Sequence, residues 1–266
     1  MSGLRPVTVI SGASAGIGAA LARVFARHGH ALALVARRED RLRQLADEIA
    51  ATGAVRPIVI VADLTQADTA RQIGEALTAQ GAEPQFIVNN AGFGLVGAAS
   101  SRDRDEQLAM IDLNVRVLTE LSLAFVDSLE RHRGGLLNVG SMAGFLPGPG
   151  MAVYYAGKAY VLSFTESLHS ELKSRGVRVS VLCPGPVPTE FATRAGLKKK
   201  LAPDIITKSA EFVAQQGYDG LMRGQRVIIP GLLNRLIIGL VRFIPRGLLL
   251  AVIDRRQRGR RPARST

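Results

Sequence analysis

The sequence predicts an α/β fold: a Rossmann-like, doubly wound parallel sheet of about seven strands with helices on both faces, followed by C-terminal amphipathic helices. Three observations predict it. Short β-branched runs alternate with longer segments of helical periodicity. The apolar runs are continuous, as in strands covered on both faces, and the first of them ends in a glycine-rich turn that opens a helix. A chain of 266 residues with 47% hydrophobic residues, 28 glycines and no tryptophan can bury one large core and does not have the composition of a disordered chain.

The first strand is Val7–Ile10, and Ile17–Arg27 is the helix that follows the turn. Strands Ala31–Ala36, Pro57–Val61, Phe86–Asn89, Gly135–Gly140 and Val177–Leu182 come next in order. Between them, Arg41–Ala51, Ala67–Ala79, Arg104–Arg131 and Val153–Ser174 carry apolar residues on one helical face and charges on the other. Strands separated by helical crossovers pair in parallel, and the right-handed crossover sets helices on both sides of the sheet. After Thr189 the alternation breaks. Lys198, Lys199 and Lys200 precede a helix expected over Asp204–Gln215, and a seventh strand, Arg226–Ile229, stops at Pro230. Residues 1–230 are therefore expected to form the dinucleotide-binding and catalytic domain. Within it, residues 187–216 lie beyond the carboxyl ends of the strands and are expected to act as a substrate lid.

Residues 231–266 are expected to be an amphipathic helical extension and basic tail of the same domain. Leu232, Leu233, Leu236, Ile237, Leu240 and Val241 make a helical stripe opposed by Arg235, Arg242 and Arg246. These arginines, with Pro230 and Pro245, argue against an ordinary spanning helix. Two occupants are expected for the stripe, in this order: the domain itself or a second subunit, then an anionic membrane surface assisted by the six arginines between Arg255 and Arg264. That tail carries much of the net charge of +12 and reads first as a solvated end, so nucleic acid is not an expected partner. Met1–Pro6 shows no leader pattern, and the one cysteine, Cys183, allows no internal disulfide. The expected location is cytoplasmic, with a peripheral place at a membrane as the second option.

In the turn Ser11–Gly18, Gly12, Gly16 and Gly18 allow tight turning and close approach, and the N–H groups of Ser14, Gly16 and Ile17 lie where a helix N-terminus receives a pyrophosphate. The alternative is a merely tight strand-to-helix connection. At the end of the second strand stand Ala36, Arg37 and Arg38, where selectivity for NAD would place a carboxylate on the ribose hydroxyl. Arg37 or Arg38 can pair with a 2′-phosphate, which favours NADP(H) without excluding NAD(H). Glu39 and Asp40, next in sequence, keep open a reading of the two arginines as surface ion pairs.

The glycine spacing G-x-x-x-G-x-G is joined by Asn89-Asn90-Ala91-Gly92 after the fourth strand and Ser141 after the fifth. Tyr154-Tyr155-Ala156-Gly157-Lys158 gives Y-x-x-x-K, and Pro184-Gly185 follows the sixth strand. In this set and order, from about Val7 to Thr189, the chain resembles the short-chain dehydrogenase/reductase family. The resemblance implies cofactor contacts by Asn90, Ala91 and Gly92, by Asp63 with the backbone of Leu64, and by a loop in which Pro184, Gly185, Val187 and Thr189 close over the nicotinamide. It also implies that Asn114 helps to hold a water between Lys158 and solvent, and that the enzyme is a homodimer or homotetramer. Asp63 is otherwise a cap for the segment beginning near Gln66.

Tyr154 and Lys158 are four residues apart on one helix, so they share a face. An adjacent ammonium is expected to lower the phenol's pKa, so that Tyr154 gives a proton to a carbonyl being reduced or takes one from an alcohol being oxidised. Ser141 is expected to polarise the substrate oxygen. A serine-hydrolase reading fails because Val139-Gly140-Ser141-Met142-Ala143 lacks the second glycine of G-x-S-x-G. His28, His30, His132 and His169 form no ligand pattern, so no metal is expected. Phe93, Leu95, Val96, Phe145, Leu146, Met151 and Phe191 suggest a pocket for a lipophilic carbonyl or alcohol, about half of them belonging to the core instead. The alternative function is a dinucleotide-binding regulatory or scaffold protein with little turnover.

Overall fold

The computed structural model describes residues 3–196 and 204–258; Lys198, Lys199, Lys200 and the tail beyond Arg258 lie outside them. The chain runs β1 (Arg5–Ser11), α1 (Gly16–Arg27), β2 (Leu32–Ala36), α2 (Glu39–Ala51), β3 (Ile58–Val61), α3 (Thr69–Thr78) and β4 (Ala82–Asn89). It continues through α4 (Arg104–Ile111), α5 (Leu118–Ala124), α6 (Val126–Arg131), β5 (Gly135–Val139), α7 (Ala152–Leu172), β6 (Arg178–Leu182) and α8 (Glu190–Arg194). The last elements are α9 (Ala210–Met222), β7 (Val227–Ile228), α10 (Leu232–Val241) and α11 (Arg246–Arg258).

All seven strands form one parallel sheet in the order β3-β2-β1-β4-β5-β6-β7. Side chains of successive strand residues leave on opposite faces, and the core splits accordingly. Ile10, Leu34, Phe86, Val88 and Leu137 pack with Leu21 and Phe25 of α1 and Val213 and Leu221 of α9. Val7, Val9, Val35, Ile87 and Leu136 face the other way, against Ile73 and Leu77 of α3, Leu121 of α5 and Leu168 and Leu172 of α7. Apolar burial on both faces is what the continuous hydrophobic runs require. The strand order reverses between β1 and β4, so the connections leaving their carboxyl ends turn to opposite sides and open a crevice.

A buried polar chain ties α5 and α7 to the middle of the sheet. Asn89 donates to Asn138 Oδ1 at 2.9 Å and to Ser122 Oγ at 3.0 Å, and Asn138 donates to Thr165 Oγ1 at 3.0 Å. Satisfied donors of this kind fix α7 against the sheet with little freedom to slide, and α7 carries Tyr154 and Lys158.

Three sequence expectations change. The segment Arg104–Arg131 is not one helix: a π-helical stretch over Asp112–Val117 and a break at Phe125 divide it. The extra residue of a π-turn rotates the following side chains, and here it brings Asn114 to the loop after β4. The helix expected over Asp204–Gln215 begins instead at Ala210, because the Ser209 hydroxyl accepts from Phe212 N–H and caps it there, leaving Asp204–Ile206 as a single 3₁₀ turn. The rest of that helix is part of the main core rather than of a lid, since Val213, Ala214 and Leu221 are buried with α1. Finally, the face of α10 that meets the domain is centred on buried Asn234 and Ile238, while Leu232, Leu236 and Leu240 face solvent. No helix among the described residues is long and apolar enough to cross a membrane.

Candidate active site

A cavity of about 1070 Å³ opens at the carboxyl ends of the strands, on the crevice between β1 and β4. Its wall includes Gly12, Ser14, Gly16, Ile17, Arg37, Arg38, Asp63, Leu64, Asn90, Ala91 and Gly92 from the first half of the sheet. From the second half come Ser141, Tyr154, Lys158, Pro184, Gly185, Val187 and Thr189. Two residues expected at the site are not on the wall: Gly18 and Asn114. Of the expected pocket hydrophobes, Phe93, Leu146, Met151 and Phe191 line the cavity, whereas Leu95, Val96 and Phe145 pack in the core behind it.

The turn between β1 and α1 is shaped by backbone rather than charge. Gly12 and Gly16 hold φ of 65° and 57°, left-handed values that a side chain would strain. A Cβ on Gly16 would sit 3.2 Å from Thr189, so the glycine leaves a narrow cradle between α1 and the loop after β6. The first turn of α1 has no side-chain cap at Ala15, which leaves its N–H groups free to meet an anion. Gly18 serves packing instead of contact. A Cβ there would lie 2.4 Å from both Gly12 O and Asn90 Nδ2. Asn90 is likewise a brace: its amide donates to Ser11 O at 3.0 Å and Gly12 O at 3.2 Å. Ser11 Oγ receives the N–H groups of Asn90 and Ala91 at 3.0 and 3.1 Å. Sequence reading missed Ser11, because nothing local marks a serine whose partners lie 79 and 80 positions away.

Arg38 reaches back over the turn. Its Nε and Nη2 donate to Ser14 Oγ at 3.2 and 3.1 Å, and its Nη1 pairs with Glu190 at 2.8 Å at the start of α8. Glu39 pairs with Arg43 instead, so it does not compete for Arg38. Arg37 lies 3.9 Å from Asp63 Oδ2. Asp63 Oδ1 accepts from Thr65 N–H and Oγ1 at 3.1 and 2.8 Å, and these hydrogen bonds, helped by Arg37, hold its carboxyl below the usual range. Asp63 therefore closes a turn and does not cap α3, which starts at Thr69.

Ser141 follows β5, where its hydroxyl accepts from Ala143 N–H at 3.1 Å and starts a 3₁₀ turn. Tyr154 and Lys158 project from α7, both nearly buried. Lys158 Nζ donates to Val139 O at 2.8 Å and lies 5.8 Å from the centre of the Tyr154 ring. Burial pushes the Tyr154 phenol up to about 12, with Ser141 pulling it partly back. Burial brings Lys158 down to about 8. Burial thus opposes the lowering of the phenol's pKa expected from Lys158, because removal of both groups from water disfavours phenolate and ammonium alike.

Asn114 is also recast. Its Oδ1 accepts from Phe93 N–H at 3.1 Å and its Nδ2 donates to Phe93 O at 2.8 Å, so the side chain is spent on holding the loop after β4. A Cβ on Gly92 would come within 2.8 Å of that oxygen and 4.0 Å of Lys158 Nζ, which places Asn114 one residue's width from the lysine. Tyr155 lines the cavity and lays its ring across Gly148. Cys183 is fully buried beside Val181 and Leu162. Phe191 of α8 packs with its ring centre 5.5 Å from that of Tyr154. Sequence reading did not anticipate Ile206, on the 3₁₀ turn before α9, or Ile237, Val252 and Ile253, which bring the C-terminal helices into the cavity wall.

Residues 6–200 match the family model described as short chain dehydrogenase. The chain belongs to the short-chain dehydrogenase family of oxidoreductases. It is 37% identical over 217 residues to sulfoacetaldehyde reductase 2 of Chromohalobacter salexigens, covering 79% of this chain and 85% of that one. Among solved structures, a short-chain dehydrogenase from Sphingobium yanoikuyae in complex with NADPH superposes with a TM-score of 0.78 at 32% identity, covering 90% of this chain and 96% of that one. The bulky-bulky ketone specific alcohol dehydrogenase of Comamonas testosteroni superposes at 0.73 with 30% identity, covering 91% and 96%. This short-chain dehydrogenase therefore acts, as its family does, on alcohol or carbonyl groups.

Proposed function

We propose that the protein is an NADP(H)-dependent oxidoreductase that interconverts a lipophilic ketone or aldehyde and its alcohol. The observation that carries this reading is the convergence of Ser141, Tyr154 and Lys158 with the uncapped α1 N-terminus and Arg38 on one cavity. The cradle at Gly16 and Thr189 fits a pyrophosphate, and Arg38, already donating to Ser14 beside it, fits a 2′-phosphate through charge-assisted hydrogen bonds. When bound, the nicotinamide supplies or receives the hydride.

The chain's own residues handle the proton and the oxygen. Ser141 donates to the substrate oxygen and holds it where negative charge grows during reduction. Tyr154, kept protonated by burial, transfers its proton to that oxygen. Lys158, anchored on Val139 O, lies near enough to stabilise the phenolate left behind and to pass a proton to it. Asn114 acts as a positioning residue by fixing the loop beside Lys158, and a water held there would complete the path to solvent. Asp63, Leu64 and the loop from Pro184 to Thr189 would enclose the adenosine and nicotinamide ends. Phe93, Leu146, Met151, Phe191 and Ile237 give the remaining space an apolar wall, which supports a lipophilic substrate. Both the NADPH complex of the Sphingobium relative and the bulky ketones named for the Comamonas enzyme support these two choices.

A panel of aldehydes and ketones of increasing bulk, assayed with NADPH and with NADH, tests the proposal. The expected outcome is turnover with NADPH preferred, and kcat/KM rising with apolar bulk. Preference for NADH, or for small charged carbonyls, would overturn the cofactor or the substrate part respectively.

A further inference from the structure

Helix α10 meets the domain along a narrow strip. Asn234 and Ile238 are buried, and Asn234 donates to Pro230 O at 2.9 Å and to Ile206 O at 3.3 Å. On the other side of the same helix Leu232, Leu236 and Leu240 are 73%, 54% and 65% exposed, and Phe243 just beyond its end is 86% exposed. Their spacing sets the three leucines and the phenylalanine on one ridge. Leu248 and Val252 of α11 are exposed as well. Apolar ridges of this extent are seldom left in water.

We propose that this face rests in the surface of an anionic lipid bilayer, with the ridge at the acyl boundary and the arginines at the level of the phosphates. The charge of the segment argues for that occupant. Residues 231–266 contain nine arginines, no lysine and a single acidic residue, Asp254. Exposed Arg242 closes α10 and exposed Arg246 opens α11, beside the ridge, while Arg235 donates to Ile229 O at 2.8 Å on the domain side. A second copy of the chain is the poorer fit, because a two-fold contact sets a patch against itself and would bring these arginines together. Pro245 separates two helices of 10 and 13 residues, lengths that suit lying in an interface and not crossing it.

Docking in this way also orients the active site. Ile237, Val252 and Ile253 line the cavity, and Val252 is at once cavity wall and solvent-exposed. The lipid-facing C-terminal helices are therefore one lip of the entrance, and an apolar carbonyl dissolved in the bilayer would reach the site without crossing bulk water. That consequence rests on the proposed substrate class, whereas docking itself does not; loss of docking leaves the hydride-transfer reading untouched.

The full chain is sedimented with vesicles of phosphatidylcholine alone and of phosphatidylcholine mixed with phosphatidylglycerol, at low and high salt. Binding is expected only to the anionic vesicles, reduced but not abolished by salt, and weakened about tenfold or more in the double variant Leu236→Glu/Leu240→Glu. Unchanged NADPH binding and thermal midpoint show that this variant is folded. Because the chain has no tryptophan, Phe243→Trp supplies a single reporter whose emission should shift to the blue on vesicles and be quenched by brominated acyl chains. Protein left in the supernatant overturns the proposal. So does pelleting with no change in the Trp emission, which would mean that charge alone holds the protein, and so does self-association that covers the ridge and is lost in the double variant. Should the double variant fail to fold, the tryptophan reporter decides by itself.

Discussion

Burial acts on Tyr154 and Lys158 with opposite chemical consequences. It keeps the phenol protonated to about 12, so the proton donor for reduction is present across the physiological range. It also makes the Lys158 ammonium costly, and the sign of the resulting pH dependence is fixed. With a folded pKa of about 8 against an ordinary 10.5, the unfolded chain binds the extra proton between these values, so this contribution to stability rises with pH from about 8 to 10.5. Tyr154 does the reverse and lowers stability between about 10 and 12. Lys158→Met should therefore raise the thermal midpoint at neutral pH, by the equivalent of about 1 kcal/mol, while abolishing turnover. The gain should shrink as pH rises through that window, and denaturation curves at several pH values check it. A midpoint unaffected by pH in both proteins would contradict the buried-ammonium account.

Arg38 gives a second residue-level prediction. Its ion pair with Glu190 occupies the guanidinium edge that a 2′-phosphate would also use. Glu190→Gln is expected to lower KM for NADPH a few-fold, and Arg38→Ala to raise it by about 10- to 100-fold with little effect on NADH. Steady-state kinetics with both cofactors distinguish the two. At this scale the motif-borne positions were legible in sequence, since Gly12 and Gly16 are marked by a tight turn that needs left-handed φ, and Tyr154 and Lys158 by one face of one helix. Ser11, Glu190 and the true partners of Asn90 and Asn114 were not, because each is defined by a residue on another connection.

At the level of elements, α10 couples the C-terminus to the loop after β6. Asn234 Nδ2 would lie 2.9 Å from a Cβ on Gly185, and the same amide holds Ile206 and Pro230. Asn234→Ala should cost about 1–3 kcal/mol by leaving buried carbonyls unpaired, and should raise KM for carbonyl substrate more than it lowers kcat. Thermal unfolding and kinetics together check this. An unchanged KM would uncouple α10 from the site. Sequence periodicity found α1, α2, α7 and the seven strands, because core burial on fixed faces writes itself into the order of residues. It erred where a local cap or an inserted turn overrides the pattern: Ser209 sets the start of α9, and the π-turn at Asp112–Val117 breaks a stripe that looks continuous. The direction of α10 was misread because its buried face includes an asparagine, which a hydrophobic stripe cannot reveal.

Over the whole molecule, the sheet supplies one floor, and the connections at its carboxyl edge, with α7, supply the cavity wall. Strand order places the glycine-rich turn after β1 and the loop after β4 on either side of the crevice, while β5 and α7 bring Ser141, Tyr154 and Lys158 to its far half. A further apolar face is formed by Leu108 and Ile111 on α4, Leu123 on α5 and Tyr160 on α7. Tyr160 stacks on Phe164, and its hydroxyl bonds Thr119, which joins α5 and α7 into one surface.

In the proposed reaction hydride reaches a carbonyl carbon in this cavity while Tyr154 protonates its oxygen. The most direct measurement uses NADPH deuterated at the transferred position and follows the label into the alcohol by mass spectrometry, for the wild type and for Tyr154→Phe. Deuterium is expected on the carbinol carbon with the wild type, and a rate about 10²- to 10⁴-fold lower in the variant with NADPH binding retained. Unlabelled alcohol, or equal rates in the two proteins, would contradict it.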